Sequence, residues 1–122
     1  QGVEQWKLLG ANIGQLAKNF NESGYNVIIN GYINEPAWER IQAYVKIDSK
    51  FLLLPEIETT AIRDLGRNPD IVMGKEAVKT HTDYFSTSPY YLDYTRIDST
   101  NQSIDQTVTD IQNTLKNNGL IP

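Results

Sequence analysis

The sequence predicts an α/β fold, a parallel sheet with helices on both faces, and three observations carry the prediction. Val27-Ile28-Ile29 and Phe51-Leu52-Leu53-Leu54 are apolar at every position, which is how strands buried on both faces read. Residues with helical apolar spacing precede and separate these runs. A third short strand is expected at about residues 94–98, and strands alternating with helices assemble as parallel sheets with right-handed crossovers.

Taken in order, Val3, Trp6, Leu9, Ile13, Leu16, Ala17 and Phe20 recur at steps of three and four, which places them on one face of a first helix that Gly24 ends. Residues 26–30 follow as the first strand. Asn34 is placed to cap the next helix, Pro36 is tolerated in its first turn, and Trp38, Ile41 and Val45 form its apolar face. The strand at 51–54 is stopped by Pro55, which has no amide hydrogen to donate to a ladder. Glu56 and Glu58 then suit the positive end of a helix dipole, and that helix ends near Gly66 and Arg67. A loop at 68–74 leads to a helix lined by Ala77, Val78, His81 and Phe85. After Ser86 comes a polar, tyrosine-rich connection to the third strand. The last helix opens on a capping box, Ser103-Ile104-Asp105-Gln106, and is expected to turn Ile104, Val108, Ile111 and Leu115 inward before Gly119.

A length of 122 residues suits one domain spanning 1–122. The net charge of -4 comes from scattered acids with no basic stripe, which argues against polynucleotide binding. No apolar run approaches the roughly 20 residues of a bilayer-spanning helix, so the sequence gives no support to a membrane role. Zero cysteines exclude disulfides and thiolate metal sites and match a reducing cytoplasm. The chain starts at Gln1-Gly2 without a methionine or a secretory signal, and an upstream segment is expected.

Arg63 and Arg67 are the foremost candidates for chemistry. Their i,i+4 spacing sets both guanidinium groups on one helix face, where they can fork onto phosphate oxygens. The same pair also fits a solvated face, with Arg67 paired to Asp64 or Asp70. His81, the only histidine, lies on an apolar helix side and reads as a packed structural residue; one histidine makes neither a triad nor a metal site. Tyr84, Tyr90, Tyr91 and Tyr94 can stack on a ring or cover the edge of a core. Open parallel sheets bind ligands beyond the carboxyl ends of their strands, which points to Asn30-Gly31-Tyr32, Pro55-Glu56 and residues 98–102. The last of these equally fits a polar turn leading into the Ser103 cap.

In their order, NVIING, FLLLPEIETTAIRDLGR, GKEAVKTHTDYF and RIDSTNQSIDQTVTDI resemble P-loop small-molecule kinases of the chloramphenicol phosphotransferase-like, shikimate kinase-like and gluconate kinase-like kind. The resemblance runs from Val3 to nearly the end of the chain and lies in the order of degenerate motifs. It implies a lid at about residues 56–86 whose Arg63 and Arg67 contact the phosphates of ATP and serve catalysis. It also implies an adenine-flanking loop of Thr100, Asn101 and Gln102, acceptor contacts at Asn30 and Tyr32, and Mg²⁺ bridging the phosphates. Implied partners are a nucleotide and a small hydroxylated acceptor. The chain departs from the family at two points. It contains no GxxxxGK[ST] phosphate loop, and Asn30 stands where the family often carries an acid.

The resemblance therefore implies a P-loop kinase-like core that lacks its first strand and phosphate loop. Leaving out a buried central strand forfeits on the order of 10 kcal/mol, about the whole stability of a domain. The family sheet is thus expected only if the missing piece is supplied, the strands re-pair, or another copy fills the gap by swapping. The competing expectation is a non-catalytic α/β interaction module that self-associates.

Overall fold

A computed structural model describes residues 2–122. The chain forms two compact units, Gln1–Ile47 and Asp48–Pro122.

The first unit is a helical pair. Helix α1 spans Val3–Glu22 and α2 spans Glu35–Gln42. The end of α1 is set by Gly24, whose φ of +88° is a conformation that glycine adopts without a Cβ penalty. The Asn34 side chain caps α2 by accepting from the Ala37 amide at 3.2 Å, with Pro36 in the first turn. Ala37, Trp38 and Ile41 are buried, with Ala37 against Gly10 and Ile41 against Gly14 of α1. Close approach depends on the missing side chains: a Cβ on Gly10 would lie 2.2 Å from the Ala37 carbonyl oxygen. Val45, expected on the face of α2, lies beyond its end.

Residues 26–30 do not form the expected strand. Val27 is 38% and Ile28 92% exposed. A β-branched run is only a strand when a neighbour takes up its backbone hydrogen bonds, and among the described residues this one has no ladder partner.

The second unit holds the sheet. Strand β1 (Phe51–Leu53) pairs in parallel with β2 (Thr95–Ile97) in the register Phe51↔Thr95, Leu52↔Arg96 and Leu53↔Ile97. Helices α3 (Ile57–Leu65), α4 (Lys75–Thr87) and α5 (Ile104–Asn117) complete it, with short 3₁₀ turns at Pro69–Ile71 and Pro89–Tyr91. The fold is therefore α/β with a small two-stranded parallel sheet. Leu52, Ile97, Ala61 and Val78 are buried, and Tyr91 is buried among aromatic rings. Tyr84, Phe85, Tyr90 and Tyr94 all have centroids 5.0–5.9 Å from that of Tyr91. The tyrosine-rich connection is thus a packed cluster. Burial pushes the Tyr94 phenol up to about 12, with Asp93 and then Tyr90 adding to the effect.

The capping box of α5 forms as expected, Ser103 accepting from the Gln106 amide and Gln106 from the Ser103 amide. Its apolar face does not turn inward throughout, because Ile104 is 83% exposed and Val108 is also exposed; only Ile111 and Leu115 are half-buried. No described helix is long and apolar enough to cross a membrane.

Candidate functional site

Because β1 and β2 run parallel, the chain leaves both strands at the same end. The Leu54-Pro55-Glu56 turn and residues 98–102 meet there, at the carboxyl edge where open α/β sheets hold ligands. One hydrogen bond ties them together, from the Glu56 amide to Thr100 Oγ1 at 2.8 Å. Asp98 shapes the second loop by accepting from the amide and the hydroxyl of Thr100, an Asx-type turn. These bonds, the hydroxyl's first, hold the Asp98 carboxyl below its ordinary value.

Helix α3 brings Arg63 onto this edge. Its Nη2 donates to the Ser99 carbonyl at 3.0 Å and its Nη1 to Ser99 Oγ at 3.4 Å. Ser99 is buried, so this guanidinium is seated against the loop.

Arg67 lies past the Gly66 cap of α3 and faces a different partner. Its Nη1 is 4.0 Å from Asp64 Oδ1, and its side chain is 56% exposed. Asp64 is itself buried and accepts from the Met73 amide with both oxygens, at 3.1 and 3.0 Å, and from the Gly74 amide at 2.9 Å. The Met73 and then Gly74 amides hold the Asp64 carboxyl below its ordinary value against the opposing cost of burial, and the Arg67 charge adds to their effect. The carboxylate thereby fastens the 66–74 loop and the start of α4 to α3.

Of the loop residues, Thr100 is half-buried and Asn101 exposed. Gln102 is turned toward α5: its carbonyl oxygen accepts from Thr107 Oγ1 at 2.8 Å and its amide donates to Asp110. It lines an open polar cleft of about 400 Å³ with residues 95–98 and with Asp110, Asn113, Thr114 and Asn117 of α5. Asn30 and Tyr32 belong to the first unit. Both are exposed, and the Tyr32 ring is 5.8 Å from that of Trp6. His81 is half-buried on α4. Among the described residues no group of three or more His, Asp or Glu side chains is placed to hold a metal ion.

The structure thus brings Arg63 and Thr100 to one edge, whereas Arg67 and Gln102 are each bound to other groups. Sequence reasoning gave Ser99 no role of its own and Asp64 only that of an ion-pair partner. The Asp98-x-Thr100 spacing of an Asx turn was a signal for where Ser99 would sit, while nothing in the sequence distinguished Asp64 as a buried acceptor of backbone amides. Comparison with family models, with curated proteins and with solved structures finds no match to the chain.

Proposed function

We propose that this chain is the nucleotide-covering part of an ATP-dependent small-molecule kinase, built on a P-loop kinase-like core whose phosphate-gripping strand and loop come from other polypeptide. The observation that carries the reading is the seat of Arg63 on the loop at the carboxyl edge of two parallel strands. Two of its five N–H groups are used on Ser99, and the remaining donors suit phosphate oxygens. ATP would supply the phosphoryl group. Arg63, with Arg67 once released from its weak pair with Asp64, would stabilise the charge that spreads over the phosphoryl oxygens as the acceptor hydroxyl attacks.

Thr100 and Asn101 would flank the base, with Gln102 behind them. The acceptor contacts that the resemblance implies at Asn30 and Tyr32 belong to the first unit, and an amide such as that of Asn30 can hydrogen-bond a hydroxyl but cannot take its proton. The described residues offer no carboxylate cluster for Mg²⁺, so no step here depends on the ion, which would stay with the phosphates of the nucleotide. A cytoplasmic setting belongs to the same proposal.

Nucleotide titration tests the reading. The parent protein that carries this chain is expected to bind ATP, and the 122 residues alone to show no ATP-dependent thermal shift. Turnover of ATP by the 122 residues alone contradicts it. The second reading, a self-associating interaction module, is favoured by the apolar side chains left in solvent, among them Leu8, Leu16, Ile28, Leu92 and Ile104.

A further inference from the structure

The chain contains the dipeptide Asn-Gly twice, at Asn30-Gly31 and at Asn118-Gly119. An asparagine side chain and the amide of the next residue are a reactive pair, because that amide nitrogen can attack Cγ and close a five-membered imide. Glycine in the second position hinders the attack least, having no Cβ and the widest choice of backbone angles. Both asparagines and both glycines are exposed. Composition and exposure therefore do not separate the two pairs, and the backbone around them does.

Asn30 lies within residues 25–34, which form neither helix nor strand. Among the described residues no partner takes up the Gly31 N–H or the Asn30 side-chain amide. A Cβ on Gly31 would meet no atom within 4 Å apart from its chain neighbours. The attacking nitrogen and the carbon it attacks are thus both unbound and unhindered. Asn118-Gly119 is the opposite case. Asn118 caps α5, and Gly119 follows it with φ +71°. The Gly119 amide donates to the Lys116 carbonyl at 3.0 Å and the Leu120 amide to the Leu115 carbonyl at 2.9 Å, the paired bonds of a Schellman cap. The nitrogen that would attack is held in that cap, and releasing it costs the bond and the helix end.

We propose that Asn30 is a site of spontaneous deamidation, while the cap of α5 protects Asn118. The Gly31 nitrogen, its proton passed to hydroxide, bonds to Asn30 Cγ; the Cγ–Nδ2 bond breaks, and Nδ2 leaves as ammonia. Water then opens the imide at either carbonyl. Breaking the new bond to Cγ gives aspartate in the original chain. Breaking the bond to the main-chain carbonyl carbon gives isoaspartate, with the chain running through the side chain. One water is consumed and one ammonia released, and nothing is oxidised or reduced. Either product puts a carboxylate where an amide stood, so a group that donates and accepts becomes one that only accepts and can take a proton. The reactivity at position 30 comes from the local backbone of residues 25–34 and holds whether or not the chain is part of a kinase.

Peptide mapping by mass spectrometry tests it, with the whole chain incubated in mildly alkaline buffer beside a sample kept unfolded in denaturant. In the folded chain the peptide holding Asn30 is expected to gain the mass difference between –OH and –NH₂ and to separate into aspartate and isoaspartate forms. The peptide holding Asn118 should stay unchanged. Isoelectric focusing should show a new band one charge more negative than the starting chain. In the unfolded sample both peptides should convert, since unfolding releases the Gly119 amide. Gly31→Ala, at a site with room for the methyl group, should keep its circular dichroism and convert at position 30 several-fold more slowly than the wild type. Three results each overturn the proposal: a folded chain whose Asn30 stays intact, a folded chain in which Asn118 converts as fast as Asn30, or a Gly31→Ala variant that converts at the wild-type rate.

Discussion

Asp64 shows how much one side chain organises here. It is buried, both its oxygens accept from backbone amides, and those amides belong to Met73 and Gly74 at the start of α4. Its folded pKa lies below the ordinary value. The stability it contributes is therefore present above the unfolded carboxyl value, near 3.8, and is lost as pH falls through the lower folded one. Asp64→Asn keeps the shape but removes the charge and one acceptor oxygen. At neutral pH it should melt at a lower temperature than the wild type, and the gap should close as pH drops below about 4. A gap that stays constant with pH would show that the charge is not what holds the loop. Arg63 is organised differently, because two of its N–H groups go to Ser99 rather than to an acid, which leaves its other donors for a bound anion.

At the scale of elements, the local signals were legible in the sequence and the pairings were not. Caps act within one turn, so Asn34, the Ser103/Gln106 box, Gly24 and Pro55 all mark ends where the structure has them. Residues 51–53 and 95–97 are strands because each gives the other a ladder. Residues 27–29 have stronger β character but no ladder partner among the described residues, and a partner is a property of the rest of the molecule. The inward face expected for α5 failed for a similar reason, since Ile104 and Val108 have the right spacing but remain 83% and 44% exposed among the described residues. The helix α1 was legible, but the face it buries was not: Val3, Leu9, Leu16 and Phe20 of the expected apolar face are exposed, while Gly10, Gly14 and Ala17 are buried. Gly10 and Gly14 let the backbone of α2 approach, and apolar spacing takes no account of glycine. Gly10→Ala should cost about 1–3 kcal/mol by overpacking, read as a lower denaturation midpoint with an unchanged slope. A helix-favouring gain in stability instead would mean that the close approach to Ala37 is absent.

For the whole molecule, the candidate site was partly legible. The expectation that ligands sit beyond the carboxyl ends of parallel strands singled out residues 98–102, and Thr100 is bonded across that edge to Glu56. The seat of Arg63 on Ser99 required the register of two strands 44 positions apart to be known, Phe51 opposite Thr95, and no local pattern encodes it. The charge of -4, spread without a basic stripe, makes Arg63 at the polar edge a local rather than a global attraction for anions. The central claim is that Arg63 and Arg67 act on a phosphoryl group. Its most direct test is steady-state phosphoryl transfer by the parent protein carrying Arg63→Glu and Arg67→Glu, with circular dichroism to confirm the fold. The account predicts a loss of turnover of about a thousandfold, the lower end of what a transition-state arginine supplies. Turnover equal to the wild type would contradict it.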